Sequence, residues 1–498
     1  MNLRKSVLTL SLLALTQVAC SSTENESISS VNSLSVPENI TTPNIVRTQA
    51  VGDLNFTDGY PSDETMSKVQ RYMFVQRAVN AFVDGIPISS MHAMLEGGKS
   101  LGGKANQSVL ISESLIDKNS LWLTPNSTTP YISIEVDVKN GPVVLDINSA
   151  VLGLVDDAFF KYVGDIGLGN PKDKGKGGKY LLVHDSFEGE IPSGFIVLKT
   201  PTYRNWVPMR LNSTKDVKQF KDTFKMHPLG QEPKMDFIDF SSVKYNTIHA
   251  NNEDFYRELN AVIQYEPITA GDSHYRGLIA EIGIEKGKEF NPQGEQLAAL
   301  KEAAGIANVH ARNEAFRPTN KDVYFYGDDR NWFLPFGSTM SHEFTKDGKV
   351  FIDDKTAFHY IATGITPLMT AQFDGAGSSY LVTTQDEKGA ALDGNETYTI
   401  TLPPTPPMKR FWSFMVYDNQ TRSILPTEQR SGGFDSTGEV AKNQDGSVTV
   451  TFSPTKPEGK VNWVQTLSNK GFFVMFRMYS PTQEWHDRKY MIGDLIKQ

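Results

Sequence analysis

The sequence predicts an α+β fold, mainly β. It is expected to have two antiparallel β domains, the first a sandwich or a barrel, with an N-terminal helical segment and a helical connection. Three observations carry this. Apolar residues recur at helical spacing from Val69 to Val83. From about residue 120 the apolar period falls to two. After a more helical stretch, the two-residue period returns beyond about residue 371. The two periods follow from the 3.6-residue turn of a helix and the alternating faces of a strand.

In PSDETMSKVQRYMFVQRAVNAFVDG, Pro61 and Ser62 are capping candidates, and Val69, Tyr72, Met73, Val79, Phe82 and Val83 mark one helical stripe. Gly85 and Pro87 are expected to break this helix, because proline lacks the N–H and clashes with the preceding turn. A second short helix is expected through Met91 and Leu95. In YISIEVDV, Ile132, Ile134, Val136 and Val138 alternate with Ser133, Glu135 and Asp137. Asn140-Gly141 then PVVLDI reads as a hairpin, since such dipeptides suit the tight turns that twisted strands need. KYLLVH, GFIVLK and YRNWVPMRL read as further strands. Helices are expected over STKDVKQFKD, Glu253 to Gln264, Gln293 to Arg312 and Thr356 to Met369. ETYTITL, FWSFMVYD, GSVTVTF and GFFVMFRMY read as strands, and the prolines of TLPPTPPMKR mark an edge or a crossover. The expected organisation is a signal peptide at 1–19, a flexible tether at 20–50, a helical segment at 51–120, a first β domain at 121–212, a mainly helical connection at 213–370 and a second β domain at 371–498.

The 498 residues carry 49 Lys and Arg against 58 Asp and Glu, a net charge of −9. Without basic clusters this argues against nucleic acid, whose phosphates demand Lys and Arg patches. PKDKGKGGK reads as a solvated loop. Arg4 and Lys5, the apolar run Val7 to Leu15 and the small Ala19 have the parts of a secretory leader. The run is shorter than the about 20 residues that span a bilayer. Ala19-Cys20 resembles the lipobox of bacterial lipoproteins, with Gln17 where that pattern favours Leu. The resemblance implies acylation of Cys20. Ser21 in place of Asp implies the outer membrane. Cys20 is the single cysteine, so disulfides, thiolate zinc sites and a cysteine nucleophile are excluded.

TPNSTTPYISIE, VVLDI and KYLLVHDSFEGEIPSGFIVLKTPT resemble the bacterial domain of unknown function numbered twelve-fifty-four. LDGNETYTITLPPTPPMKRFWSFMVYDNQTRSIL, NQDGSVTVTF and FRMYSP resemble its partner domain numbered twelve-fourteen. The resemblance implies two antiparallel β-sandwich-like (jelly-roll-like) domains with helical additions, and little about chemistry. Many relatives carry Asp where this chain has Thr128.

No HExxH or Walker A motif occurs. GKSLG (Gly98 to Gly102) fits the spacing of a nucleophile elbow, but a helix precedes it, so it reads as a glycine-rich loop. Asp156-Asp157, Asp328-Asp329 and Asp353-Asp354 are adjacent acids, which in a strand point to opposite faces. Candidate catalytic residues are Asp418, His184 and His227, the two histidines because they fall in family-like segments. Candidate ligand-binding residues are Asn126, Thr129, Tyr131, Trp412, Tyr417, Arg422 and Arg477, which join flat aromatic faces to a rigid donor fork. The bland alternative is that the aromatics are core and Arg477 pairs with Asp418. No metal site and no cofactor are predicted.

The expected protein is exported or lipid-anchored in the envelope, with a polar small molecule or glycan as partner and the lipid as its membrane contact. As an enzyme it would be a hydrolase of a glycan, glycoconjugate or other extracellular compound at an interdomain cleft. The alternative is a non-catalytic surface ligand-binding or envelope interaction protein. Acidic or histidine side chains converging in the cleft favour the first; their lack favours the second.

Overall fold

A computed structural model describes residues 36–498. The leader and Cys20 lie outside the described residues, as does most of the span read as a tether. The described end of that span is not all tether. Ile45–Thr48 pairs with Gly52–Thr57, which pairs in turn with Tyr60–Pro61. This small antiparallel sheet belongs to a unit ending at Gln70; the second unit, Arg71–Gln498, holds everything that follows.

One helix runs unbroken from Asp63 to Ser100, with Pro87 inside it. The break expected at Gly85 and Pro87 does not occur. A proline inside a helix costs about 3 kcal/mol, and fully burying one large apolar side chain returns about 1.5–3 kcal/mol. Phe82, Ile86, Ile88, Met91, Met94 and Leu95 are all buried, so packing outweighs the local penalty. Gly85 is there for close approach: a Cβ would lie 2.6 Å from the Tyr275 hydroxyl. Next to it the rings of Phe82 and Phe255 stack at 3.8 Å. Helices Asp254–Tyr265, Ser273–Ala280, Gly294–Phe316 and Ile352–Ile361 share this helical core. The helix expected over Thr356 to Met369 divides, with Pro367–Thr370 a separate turn. Between the two pieces Gly364 has φ +78°, and the Ile365 N–H bonds a side chain, not a helical carbonyl.

The first sandwich packs a four-stranded sheet on a six-stranded one. The first runs Ile196–Thr200, Gly178–His184, Val143–Ile147, Lys225–Pro228. The second runs Asp236–Asp239, Ser108–Ile111, Tyr131–Asp137, Arg204–Arg210, Leu152–Asp157, Tyr162–Gly167. Most neighbours are antiparallel. The Gly178/Ile196 and Ser108/Asp236 pairs are parallel. Strands therefore come from beyond the 121–212 span on both sides. The Asn140-Gly141 hairpin is not formed: Tyr131–Asp137 and Val143–Ile147 belong to opposite sheets. Only Gly141 has positive φ, whereas a type I′ turn needs two such residues. The two strands send Ile132, Ile134 and Val136, and Val143, Leu145 and Ile147, into one shared core. Burying both sets between two sheets competes with pairing them edge to edge, and burial wins.

The second sandwich packs Ser378–Thr383, Phe472–Tyr479, Trp412–Asp418, Gly433–Asp435 against Asn462–Gln465, Val448–Ser453, Tyr398–Leu402, Ile496–Lys497. The proline run follows Leu402 and carries the chain between these sheets, the crossover the prolines suggest. Period two assigns the faces of the central strands. Phe472, Val474, Phe476 and Met478 fill the sandwich core. Phe473 and Met475 turn outward with Met415 and Tyr417 to meet Trp122, Phe160 and Trp206 of the first domain. Each sandwich thus presents one buried outer face to the other, and the cleft lies at that junction.

Candidate functional site

Two chambers open between the sandwiches. The inner one, of about 100 Å³, is lined by Trp122, Thr124, Tyr131, Trp206, Tyr380 and Arg477, among others. The outer, of about 590 Å³, is lined by Leu152, Leu168, Thr366, Leu368, Phe373 and Ser378, among others. Leu154, Pro208, Arg210, Met369 and Tyr380 line both, so the chambers adjoin. The outer volume falls within the about 300–1,000 Å³ typical of small-molecule sites.

Strand alternation aims the polar groups. Ile132, Ile134 and Val136 point into the first core, which turns Tyr131, Ser133 and Glu135 to the other face. On the partner strand Trp206 and Arg210 stand opposite Glu135 and Tyr131. Trp206 is fixed by donating its indole N–H to Ser133 Oγ at 2.8 Å. Pro208 lies in a central strand where its missing N–H matters: pairing with Leu152–Asp157 lapses between Trp206 and Met209.

Two guanidinium groups converge. Arg210 stacks 4.9 Å from the Tyr131 ring centre. Arg477 is buried; its Nη2 donates to the Thr124 carbonyl at 3.0 Å, and its carbon lies 5.6 Å from the ring centres of both Tyr380 and Tyr417. Arg477 Nη1 is buried without a hydrogen-bond partner among the described residues. For both arginines, burial opposes the charge, and the groups that counter it are phenols: Tyr131, Tyr380 and Tyr479 for Arg210, and Tyr417, Tyr479 and Tyr380 for Arg477. Arg477 does not pair with Asp418. That carboxylate is consumed by Lys470 and by the N–H groups of Gln420 (2.6 Å) and Thr421.

The TPNSTTPY segment builds the chamber wall. Thr124 has φ +40°, a costly conformation for a β-branched residue. Three bonds hold it there: its N–H donates to the Arg422 carbonyl at 2.8 Å, its hydroxyl to the Ile361 carbonyl at 2.8 Å, and its carbonyl accepts from Arg477. Asn126 accepts from Thr128 N–H at 2.8 Å and donates to the Tyr479 hydroxyl at 2.8 Å. Burial pushes the Tyr479 phenol up to about 12, and it pushes Tyr417 up as well. Both stay protonated, and Tyr417 donates to the Pro125 carbonyl at 2.7 Å.

Tyr131 and Arg477 therefore line the chamber, while Tyr417 and Asn126 support it from behind. Thr129 Oγ1 is buried without a partner among the described residues. Trp412 is elsewhere: it packs in the sandwich core against Phe414 and Phe434, because even-numbered positions of its strand face inward. Arg422 is buried behind the wall, 4.2 Å from the Tyr360 ring centre, and burial lowers it to about 10. His184 and His227 lie on the four-stranded sheet, no strand of which lines the cleft. His184 bonds Ser186 and the Pro201 carbonyl; His227 bonds the Pro228 carbonyl. Ser100 of GKSLG ends the long helix and donates to Gly97 O at 2.6 Å, so no elbow forms.

The lining residues that escaped the sequence reading include Arg210, Tyr380, Trp122 and Trp206. Arg210 and Trp206 had a usable signal, since both share the parity of Arg204 in a strand whose other parity, Val207 and Met209, is apolar. Asp156 and Asp157 are fully buried in a strand, and burial pushes Asp157 up to about 6 and Asp156 well above the usual carboxylate range. Asp156 Oδ2 accepts from Ile365 N–H at 2.9 Å. Among the described residues no group of three or more His, Cys, Asp or Glu is placed to hold a metal ion.

Two joined sandwiches define the fold, and a solved structure shares it. The VPA0106 protein from Vibrio parahaemolyticus, a Northeast Structural Genomics Consortium target, has a crystal structure with a TM-score of 0.51 to this chain. The two are 17% identical, over 85% of this chain and 100% of that one. An uncharacterized protein from Burkholderia cenocepacia gives a TM-score of 0.37 at 12% identity, over 88% of this chain and 91% of that one. The family assignment is made by sequence. Residues 105–228 match the protein of unknown function DUF1254, and residues 377–483 match the protein of unknown function DUF1214. The chain thus combines a DUF1254 region with a DUF1214 region, as the motifs above indicate. No functionally curated protein matches it.

Proposed function

We propose that the protein binds an anionic small molecule at the interdomain cleft. The carrying observation is that Arg210 and Arg477 line one chamber and that, among the described residues, phenols are the groups that counter their charge. A buried cation without its own carboxylate is costly, and a bound oxyanion answers that cost with charge-assisted bonds. Hydrolysis is the weaker reading. Acid/base hydrolysis of a glycoside needs two carboxyl groups flanking the bond. The one acid lining the chambers, Asp165, already accepts from the Tyr162 hydroxyl at 2.9 Å and the Thr366 hydroxyl at 2.7 Å.

Thermal unfolding with acetate, benzoate, sulfate and glucose tests this, because a ligand that favours the folded state raises the midpoint by mass action. Anions should stabilise the protein and Arg210→Met should abolish the effect. Stabilisation by glucose alone would return the cleft to the glycan reading.

We also propose export, with a lipid on Cys20 holding the protein at the envelope. The leader composition supports it. Cell fractionation with metabolic acyl labelling of the wild type and Cys20→Ala tests it; label that persists in the variant would refute it.

A further inference from the structure

The outer chamber differs in kind from the inner one. Three large apolar side chains are exposed at its walls: Leu152 at 45%, Leu168 at 49% and Phe373 at 44%. Most of the chain's large apolar residues are buried, so three exposed ones around one cavity form a patch, which marks a binding site more often than a scattered apolar residue does. Leu154, Met209, Leu368 and Met369 continue the apolar lining toward the arginines. Thr366, Ser378 and Ser480 are the small polar groups in this lining, and Asp165 is its one acid.

The inner chamber ends this apolar path. Arg210 lines both chambers and stands at the passage between them. Beyond it the space is about 100 Å³, room for a small head group only. Arg477, which lines this chamber, has its Nη1 buried without a hydrogen-bond partner among the described residues. Burial pushes Asp156, whose carboxyl accepts from the Ile365 N–H, well above the usual carboxylate range.

Resting on the anion-binding reading above, we propose that the ligand is a single-tailed amphiphile: a singly charged oxyanion head between Arg210 and Arg477, and an unbranched apolar tail along Leu154, Leu168 and Phe373. Head and tail make separate contributions. The head gains charge-assisted bonds with the two guanidinium groups. The tail gains about 0.8 kcal/mol for each CH₂ it buries. A head alone forgoes the second gain, and a tail alone leaves the arginines unpartnered.

Calorimetric titration of the full-length chain with decanoate, acetate and decanol separates the two. Decanoate should bind at least tenfold more tightly than either. Decyl sulfate compares the two head chemistries; binding like decanoate, or not at all, keeps the amphiphile and identifies the head as any oxyanion or as carboxylate. Leu168→Glu changes an exposed wall residue, leaves the fold unstressed and should weaken decanoate at least tenfold. Acetate binding as tightly as decanoate would overturn the tail and leave the anion reading standing. Decanol binding as tightly as decanoate, or no probe binding, would overturn both. Unchanged decanoate affinity in Leu168→Glu would overturn the proposed path of the tail.

Discussion

The two ends of the strand Arg204–Arg210 carry the same side chain in opposite circumstances. At one end Arg204 donates to Glu135 at 2.7 Å and Glu96 at 3.1 Å. At the other, Arg210 has an aromatic ring and phenols around it, and no acid among the groups that raise it. Both are held away from bulk water by the same sheet. The contrast teaches that a recessed arginine is not by itself a sign of function. Its partners decide: an arginine with carboxylates of its own is finished as structure, and one without them is prepared for something from outside.

The largest expected effect lies at the paired end. Arg204→Met removes one partner of a buried network and leaves Glu135, whose side chain is 10% exposed, with Lys99 at 3.7 Å as its more distant cation. Breaking such a pair costs about 3–5 kcal/mol, and a urea titration should show the midpoint fall accordingly. If Arg204→Met instead costs no more than Arg210→Met, the two ends are alike and the contrast fails.

Arg210→Met should do the reverse. It removes a charge that has no carboxylate to strand, so stability should change little. Anion affinity should drop at least tenfold, about 1.4 kcal/mol or more, read by titration with decanoate. A large loss of stability in this variant would make Arg210 structural.

The ends should also differ in pH response. Glu266 accepts from the N–H groups of Tyr203 and Arg204, and burial pushes it up to about 7 from 4.5. Its folded pKa lies above its unfolded one, so the folded state binds the extra proton between them and this group's contribution to stability falls as pH rises from 4.5 through 7. Thermal midpoints of Glu266→Gln across that window should lose this component of the slope, with ligand affinity unaffected. A wild-type and variant profile that run parallel would remove Glu266 from the account.

The smallest effect belongs to the rim. Lys99 meets Glu96 at 2.9 Å, with side chains 39% and 44% exposed. Solvent screening leaves such a pair about 0–1 kcal/mol, so Lys99→Ala should barely move the urea midpoint. A loss comparable to Arg204→Met would mean that the network acts as one unit.

The strands were legible wherever alternation was strong. Tyr131 to Asp137 shows its two faces in the sequence, and the apolar one enters the core as the pattern requires. Parity also separates Trp412 from Tyr417, and treating both as cleft residues overlooked it. The long helix was less legible, because Gly85 and Pro87 carry a local penalty that only contacts such as Phe82 with Phe255 reveal as overruled. His184, His227 and Asp418 are residue types able to do chemistry, but neighbours hold Asp418 and both nitrogens of His184, and both histidines lie on a sheet that does not line the cleft.

By itself the sequence determined the two strand-rich regions, the helices that accompany them, the net negative charge and the DUF1254 and DUF1214 regions. These depend on periodicity, composition and short motifs, which act over a few residues. The tertiary structure alone decided that Tyr131, Arg210, Tyr380 and Arg477 share one chamber, and that among the described residues phenols counter the charge of the two arginines. Those facts depend on which outer faces of two sandwiches meet. That choice is made by burial summed over both domains and leaves no local mark on the chain.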